Sequence, residues 1–482
     1  MIAQMKESLN SLKGIKVLVM GLGLHGGGVA TVKWLLKQGA IVSATDKRDA
    51  KTLAPSLQAL KGLPVRYTLG RHDAGDFRTN DLIVVNPAVP RESEYLAIAR
   101  KAHKRIENDT SLFFAVNTTS TIAITGTRGK TSTTLFLAEL LKKKYKDVKP
   151  SGNTPENALL KEYSRRKKKD TPVVCELSSW QLEHLPASGK APHIAIITNL
   201  FPDHLNRYKD MNAYADAKAN IFLQQTAQDY LILNKQNIWT TYFLKKKPKS
   251  QIFFISTTPL KKGEQGLFVR HQNLIFRKNG EEKSVFSITK FISERGVHNL
   301  ENLMCALLAT LLIEKKIKVT ERDIIRLPSP PMRQEIIYEK GSVIIVNDSC
   351  ATSPDGTIVA LERFGKLKIS PSCLIAIIGG TDKELEFSNL ARVLKKYSQT
   401  TDIIFLEGSA TTRLQKKLNN DKFQQETFNT LEKCVKAAKQ KSLEVKGQVT
   451  ILFSPGAASF EKFLHEFDRG KKFTALVKKY FH

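Results

Sequence analysis

Cysteine is scarce in this sequence. Its 482 residues include five cysteines, and none of them belongs to a Cys-x-x-Cys pair. An odd number of widely spaced cysteines argues against a disulfide framework, and the missing pairs argue against a zinc knuckle. A reducing cytosol is the simplest setting for such a chain.

Long apolar runs are also missing. No stretch of about 18 apolar residues, the length that spans a bilayer, occurs in the chain. The first ten residues, MIAQMKESLN, lack the apolar core of a secretion signal. We therefore expect a soluble, cytoplasmic protein that does not insert into membranes.

Acidic residues are few relative to basic ones. The sequence has 46 Asp and Glu against 76 Lys and Arg, which gives a formal net charge of +30. This excess predicts an anionic partner, but charge alone does not distinguish nucleic acid, membrane headgroups and phosphorylated small molecules. The lysine-rich runs at 142–144, 165–169 and 245–247 are scattered and lack interleaved aromatic residues. They favour a solvated basic surface over a nucleic-acid patch.

The chain is too long for one hydrophobic core, since single cores stop growing near about 250–300 residues. Short β-branched runs, each followed by a Gly- or Asp-bearing turn and a helical pattern, recur along it and are typical of parallel α/β layers. The proline-rich segment 326–332 (RLPSPPM) predicts a domain boundary. We predict strands at 16–20, 41–45, 121–125, 173–177, 194–198, 231–233, 343–346, 374–378, 403–406 and 450–453.

A glycine-rich turn follows the first predicted strand. Residues 21–26 (GLGLHG) precede a helical pattern, so their N–H groups and the helix dipole can hold a diphosphate. Asp46 lies twenty residues after Gly26, where a dehydrogenase would bind the ribose of NAD. A single fingerprint of this kind is weak, because a tight turn also requires glycine.

A second glycine-containing loop is more specific. Residues 126–131 (GTRGKT) lie between an apolar strand and a helix, with Lys130 suited to phosphates and Thr131 to Mg²⁺. The loop has two residues between its glycines, where the common phosphate loop has four. Two phosphate-binding loops imply two phosphorylated ligands, which favours an ATP-driven ligase over a simple dehydrogenase.

Two polar residues follow other predicted strands of the central block. Glu176 lies at the carboxyl end of the run 173–177, and His204 follows the run 194–198. The carboxyl ends of parallel strands form the ligand-binding edge of an α/β sheet. A carboxylate and an imidazole there are plausible Mg²⁺ ligands or their supports, although each alone is more often structural.

In this ordered set of motifs the chain resembles the Mur ligase family over nearly its whole length. The N-terminal loop with residues 46–48 (DKR), and the segments 454–459 and 468–470, favour the member that adds D-glutamate to UDP-N-acetylmuramoyl-L-alanine. The motifs are 126–134, 176–183, 199–208, 217–218, 298–302, 332–333, 347–352, 379–383 and 454–459.

The resemblance implies three α/β domains. They are a Rossmann-like UDP-sugar-binding domain (1–110), a central P-loop ATPase-type domain that binds ATP (111–330) and a Rossmann-like C-terminal domain (331–482) with amino-acid and nucleotide contacts. It also implies small-molecule substrates, ATP and two Mg²⁺ ions as cofactors, no nucleic-acid partner and a monomer.

The resemblance assigns site residues in four groups. The catalytic group is Lys130, Glu176, His204 and Lys218. Lys218 matches the lysine that the family carbamylates. The residues assigned to the metal are Thr131, Glu176, His204 and Lys218. The ATP group is Gly126, Thr127, Arg128, Gly129, Lys130, Thr131, Ser132, Asn299, Asn302, Arg333 and Asp348. The UDP-sugar group is Leu24, His25, Asp46, Lys47, Arg48, Asn153 and His204. The amino-acid group is Cys350, Thr352, Lys383, Ser459 and Phe460.

The chemistry implied is amide synthesis through an acyl phosphate, with domain closure excluding water. The chain departs from the family pattern at several positions. Cys350 stands where lysine is usual and Arg128 where asparagine is usual, while Lys47 and His25 replace smaller residues and an aromatic is shifted to Phe467. We interpret these departures as follows: the protein keeps amide ligation, but its recognition of the amino acid is partly rebuilt.

Two alternatives stay open at this point. Another Mur-type or folylpolyglutamate-type ligase would share the central motifs, although the 21–46 unit argues against the folate enzyme. A basic nucleic-acid-stimulated NTPase is the second, but the sequence contains no nucleic-acid module.

Overall fold

The computed structural model describes residues 12–24, 26–152, 158–165, 170–205, 207–314, 316–365, 372–418 and 426–482. By its internal contacts the chain divides into two units, Met1–Pro328 and Ser329–His482. The described residues form three β-sheets, two in the first unit and one in the second. No helix among these residues is both long and apolar enough to cross a membrane.

The first sheet has five parallel strands in the order β3-β2-β1-β4-β5. The order reverses between β1 and β4, which is where Rossmann-like folds bind ligands. Its strands are β1 (Lys16–Met20), β2 (Ile41–Asp46), β3 (Val65–Leu69), β4 (Leu82–Val85) and β5 (Arg105–Glu107). The accompanying helices are α1 (Gly27–Lys37), α2 (Ala54–Ala59), α3 (Ala74–Thr79), α4 (Glu94–Lys101) and α5 (Asp109–Val116).

The second sheet has nine strands in the order β14-β13-β12-β11-β10-β9-β6-β8-β7, antiparallel only between β12, β13 and β14. The strands are β6 (Thr121–Thr125), β7 (Pro150–Gly152), β8 (Val173–Glu176), β9 (Ile194–Ile197), β10 (Tyr230–Asn234), β11 (Gln251–Ser256), β12 (Gly266–Arg270), β13 (Asn273–Lys278) and β14 (Glu281–Ser287). The helices are α6 (Lys130–Leu141), α7 (Leu159–Arg165), α8 (Ser179–Leu182), α9 (Met211–Ala219), α10 (Thr240–Lys245), α11 (Thr289–Arg295), α12 (Leu300–Ile313) and α13 (Glu321–Ile325).

The third sheet has six strands in the order β15-β16-β20-β17-β18-β19, parallel except for β15. The strands are β15 (Glu335–Lys340), β16 (Val343–Asn347), β17 (Ser372–Ile378), β18 (Thr401–Leu406), β19 (Glu426–Phe428) and β20 (Gln448–Phe453). The helices are α14 (Pro354–Phe364), α15 (Ser388–Lys396), α16 (Ser409–Leu418), α17 (Leu431–Glu444) and α18 (Glu466–Phe481).

The central strands β6, β8 and β9 are buried along their whole length because helices cover both faces of the sheet. On β6, Ile122 and Ile124 pack into one core cluster while Ala123 packs into the other. Helix α12 is hydrophobic on nearly all sides, so it runs buried through the cluster that contains Ile122 and Ile124.

The predicted α/β class is confirmed, and every predicted strand is present within one or two residues of its predicted ends. Helix α6 ends at Leu141, where the chain turns at 142–144. The domain boundaries at 110/111 and 330/331 stay predictions.

The lysine run 142–144 has an electrostatic partner at each position. Lys142 pairs with Glu139 at 2.8 Å, Lys143 with Asp323 at 2.5 Å, and Lys144 with Glu314. These pairs are largely exposed, so each contributes little stability. They do neutralise the run locally, and residues 166–169 of the second run lie outside the described residues.

A buried arginine organises the third sheet. Arg469, on α18, is fully buried, and burial lowers its pKa to about 10. Its guanidinium donates to the carbonyls of Ala457 and Ala458 at 3.1 and 2.9 Å and to that of Ser349 at 2.7 Å. One side chain thus ties the loops after β16 and β20 to α18.

Replacing this arginine should destabilise the protein. We expect Arg469→Met to lower the free energy of unfolding by about 3 kcal/mol, because three buried carbonyls lose a charged donor. The exposed Arg392→Met is the matched control and should change it by less than about 0.5 kcal/mol. Thermal and urea denaturation measure both, and equal midpoints for the two variants would contradict this role.

Candidate active site

The phosphate loop forms at the carboxyl end of β6. Gly126 has a φ of 148°, and a Cβ at this position would clash with the Thr198 hydroxyl. Gly129 has a φ of 81°, and its Cβ would clash with the Asn302 amide oxygen. Glycine is needed at both positions because the loop is packed against β9 on one side and α12 on the other.

Hydrogen bonds from the loop after β9 fix the backbone of the phosphate loop. Thr127 donates its N–H to the Asn199 carbonyl at 3.0 Å, and Arg128 donates its N–H to the Asn199 side chain at 2.9 Å. The Thr198 hydroxyl donates to the Arg128 carbonyl at 2.7 Å. The Arg128 guanidinium lies over the Phe201 ring, 5.3 Å from its centre.

Two lysines converge on one carbonyl of this loop. Lys130 Nζ donates to the carbonyls of Gly126 and Thr127, both at 3.1 Å. Lys218 Nζ donates to the same Gly126 carbonyl at 2.9 Å and is buried. Burial, and after it the neighbouring Lys130 charge, hold the Lys218 pKa well below its ordinary value, although Asp203 and Glu176 oppose the shift.

Thr131 and Ser132 lie in the first turn of α6 and are partly exposed, so their hydroxyls are accessible beside the loop. Asn302 accepts a hydrogen bond from Thr133 at 3.4 Å and donates to the Asn299 side chain at 3.3 Å. The structure therefore brings the predicted ATP residues of the first unit together around one loop.

His204 lies in an aromatic cluster at the same sheet edge. Its ring centre is 5.3 Å from that of Trp180 and 5.8 Å from that of Tyr214. Its φ of 56° is unusual for a non-glycine residue, which indicates that the surrounding packing fixes this backbone. The centre of the Tyr214 ring also lies 4.6 Å from Lys218 Nζ, and burial raises the pKa of the Tyr214 hydroxyl.

The donor set at this edge fits magnesium. Among the described residues no group of three or more His, Cys, Asp and Glu side chains forms a metal site by itself. Mg²⁺, however, is commonly held by one or two protein ligands together with substrate phosphates. The Glu176 carboxylate is buried at the end of β8, and Thr131 offers a hydroxyl beside the loop.

The second predicted ligand site lies at the switch point of the first sheet. The Asp46 carboxylate is buried and accepts the N–H groups of Gly23 and Arg48, both at 3.0 Å. Leu24, Lys47 and Arg48 are exposed around it. His25 and Asn153 lie outside the described residues.

In the second unit Asp348 is buried beneath the loop after β16. Its carboxylate accepts from Ser454 Oγ at 2.6 Å and from the Gln334 N–H at 3.0 Å. Burial raises its pKa to about 7, although these bonds and the charges of Arg333 and Arg363 oppose the shift. Two residues on, Cys350 is also buried, and burial raises its thiol pKa to about 11.

The predicted amino-acid residues come from three loops of the second unit. Lys383 Nζ lies 5.8 Å from the centre of the exposed Phe460 ring. Thr381 and Ala458 exchange backbone hydrogen bonds of 3.0 Å, which holds the Lys383 loop against the loop carrying Ser459. Ser459 is buried and Thr352 is partly exposed.

Sequence reasoning missed several side chains of this site. Asp203 and Tyr214 both neighbour Lys218, and Asn199 positions the phosphate loop. Asp203 is adjacent to His204 at a strand end, so its position alone was a usable signal. Tyr214 carried no such signal, because it reaches the site only through the packing of α9.

The raised pKa of Asp348 predicts how the stability of the protein depends on pH. Its carboxyl stays protonated in the folded state up to about pH 7 but ionises near about 4 when unfolded. Stability should therefore fall as pH rises from about 4 to about 7, by up to about 4 kcal/mol. Urea denaturation across this range should give a shallower fall for Asp348→Asn, whereas the exposed Asp402→Asn should follow the wild type. Parallel profiles for wild type and Asp348→Asn would contradict the assignment.

Comparison with solved structures supports the fold. The chain is 19% identical to UDP-N-acetylmuramate-alanine ligase MurC from Thermotoga maritima, with a TM-score of 0.59 and coverage of 96% of this chain and 99% of that one. It is 17% identical to MurF ligase from Thermotoga maritima in complex with ADP, with a TM-score of 0.54 and coverage of 98% and 96%.

Sequence comparison adds closer relatives. The model of the Mur ligase middle domain matches residues 124–310, and that of the Mur ligase MurD-like N-terminal domain matches residues 15–107. The chain is 36% identical to UDP-N-acetylmuramoylalanine–D-glutamate ligase of Roseiflexus sp. (strain RS-1), covering 97% of this chain and 99% of that protein. Identity to the protein of the same name from Borreliella afzelii (strain PKo) is 34%, with the same coverage. The chain belongs to the Mur ligase family.

Proposed function

We propose that this protein is an ATP-dependent ligase that joins D-glutamate to UDP-N-acetylmuramoyl-L-alanine in peptidoglycan precursor synthesis. The observation that carries the proposal is the convergence of Lys130 and Lys218 on the Gly126 carbonyl, beside Glu176, at the edge of the central sheet. Near full-length relatives of that name support the choice of substrates.

In the first step the terminal carboxylate of the UDP-sugar takes the γ-phosphoryl group of ATP, and ADP leaves. The loop N–H groups and the α6 dipole orient the phosphates, and Lys130 neutralises charge that spreads over the transferring group. The product is an acyl phosphate, which is a far better acyl donor than a carboxylate.

Thr131, Glu176 and His204 would hold magnesium beside these phosphates. When bound, the cation neutralises phosphate charge and polarises the transferring group. Lys218 has the chemistry for carbamylation, because only a neutral amine reacts with CO₂ and its pKa is lowered by burial. A carbamate there would turn a buried amine into an anion suited to a second cation.

In the second step the amine of the amino acid attacks the acyl phosphate and displaces inorganic phosphate. Lys383 and Phe460 lie together, and Thr352 and Ser459 add hydroxyls on neighbouring loops. Cys350 is uncharged at neutral pH because its thiol pKa is raised. Recognition of the amino-acid carboxylates therefore depends on Lys383 more than it would with a lysine at position 350.

The UDP-sugar site favours this function over the folylpolyglutamate type. Gly23, in the glycine-rich turn, donates its N–H to Asp46 at the switch point of a separate five-stranded sheet, which supports a ligand site there. A nucleic-acid-stimulated NTPase is disfavoured because the lysines at 142–144 are each paired with a carboxylate. We also propose that the protein is a cytoplasmic monomer.

The substrates can be tested directly. We expect phosphate release from ATP to require both UDP-N-acetylmuramoyl-L-alanine and one amino acid, with D-glutamate the best of a panel of D- and L-amino acids. Mass spectrometry should detect the amide product. Release that depends on no amino acid would contradict ligase activity, and stimulation by RNA without UDP-sugar would favour the NTPase.

The role of Lys218 is tested by removing its amine. Lys218→Ala should lower kcat by at least about 100-fold, since a preorganised charged group is lost from the phosphate site. The exposed Lys209→Ala on the preceding loop is the matched control and should retain activity. Removal of dissolved CO₂ should lower wild-type activity, and bicarbonate should restore it. Activity insensitive to CO₂ would contradict carbamylation while leaving the ligase proposal intact.

A further inference from the structure

Arg207 and Glu183 form a nearly buried ion pair beside the candidate site. The Arg207 guanidinium donates to both carboxylate oxygens of Glu183, at 3.2 and 2.9 Å. The Tyr208 hydroxyl donates to the same carboxylate at 2.7 Å. The side chains of Arg207 and Glu183 are only 10% and 5% exposed, so the pair is strongly oriented.

The remaining donors of Arg207 reach the first sheet. Its guanidinium donates to the carbonyls of Ala88 and Val89, both at 3.1 Å, in the loop after β4. That loop supports the glycine-rich turn, because Asn86 Nδ2 donates to the Gly21 carbonyl at 3.2 Å. A Cβ on Gly21 would lie 2.8 Å from Asn86 Cβ, which shows how closely the two loops pack.

The face of the same guanidinium contacts Trp180 in helix α8, at the edge of the second sheet. Arg207 lies 4.8 Å from the centre of the Trp180 ring, and Trp180 packs edge-on against His204. One side chain is therefore in contact with the loops of the predicted UDP-sugar site and with the aromatic cluster that holds His204.

We propose that Arg207 is a positioning residue, which sets the distance between the UDP-sugar loops and the phosphate-transfer site. The inference rests on the proposed function, since it assumes that a UDP-sugar lies on the Gly21 turn while its carboxylate reaches the edge near His204. A fixed distance between these sites orients the carboxylate for attack.

Arginine is needed for this role. Its planar fork makes the bidentate pair, the two carbonyl bonds and the stacking contact at the same time. Lysine keeps the charge but has one nitrogen and no flat face. Arg207→Lys therefore removes the bidentate pair, the two carbonyl bonds and the stacking contact, but it leaves a positive charge near Glu183.

Steady-state kinetics of the full-length enzyme test the proposal. We expect Arg207→Lys to raise KM for UDP-N-acetylmuramoyl-L-alanine about tenfold or more and to change KM for ATP less than about twofold. Glu183→Gln should shift the same KM in the same direction by a smaller factor, because Arg207 keeps its carbonyl partners.

Arg277 offers a matched control. It is also mostly buried, pairs with Glu282 at 2.5 Å and donates to the backbone carbonyls of Lys261 and Glu264, but it lies on β13 towards the far edge of the sheet. Arg277→Lys should leave both KM values unchanged. Equal effects of the two variants, or parallel rises in both KM values for Arg207→Lys, would overturn the positioning role.

Hydrogen exchange separates this inference from the proposed function. In Arg207→Lys, amides of residues 21–24 and 86–89 should exchange faster, while those of 121–134 should not change. If the wild type shows no turnover with any UDP-sugar, the proposed function fails, and the exchange pattern alone then decides whether Arg207 holds these loops. Unchanged exchange at 21–24 and 86–89 would refute it.

Discussion

The close approach of the phosphate loop to the end of β9 is the constraint on which the site depends. Gly126 lies where a Cβ would clash with Thr198, and the Thr198 hydroxyl and the Asn199 side chain both form hydrogen bonds with the backbone of Arg128. This packing points the Gly126 carbonyl at Lys130 and Lys218. The loop and its two lysines therefore form one unit.

Burial then assigns different properties to chemically similar groups. Lys130 is partly exposed in the loop, whereas Lys218 is buried beside it and has a strongly lowered pKa. Burial likewise raises the pKa of Asp348 to about 7, although its carboxylate accepts hydrogen bonds from Ser454 and Gln334. Solvent access and hydrogen-bond donors decide these differences, and residue type does not.

The large basic excess is only partly a property of the site. The cations at the predicted phosphate and UDP-sugar loops are few, among them Lys47, Arg48 and Lys130. Others belong to surface pairs such as those of 142–144, where a carboxylate lies beside each lysine. Such pairs neutralise part of the basic excess locally.

Much of the fold could be predicted from sequence because parallel α/β layers repeat a local pattern. Apolar strands such as 121–125 and 194–198, and the glycine turn between β6 and α6, appear where the pattern predicts them. Ten of the described strands were not predicted: β3, β4, β5, β7, β11 to β15 and β19. The runs of β12 to β14 are short and partly polar, so they resemble loop sequence.

The sequence by itself determined the α/β class, the phosphate loop and the strand-end positions of Glu176 and His204, because backbone conformation and local hydrophobic pattern encode them. Only the tertiary structure decided which side chains meet. Tyr214 and Lys218 reach the loop through the packing of α9, and Arg207 joins the 86–89 loop to the His204 cluster. Contacts between residues so far apart in the chain depend on the three-dimensional arrangement of whole elements, which local sequence does not specify.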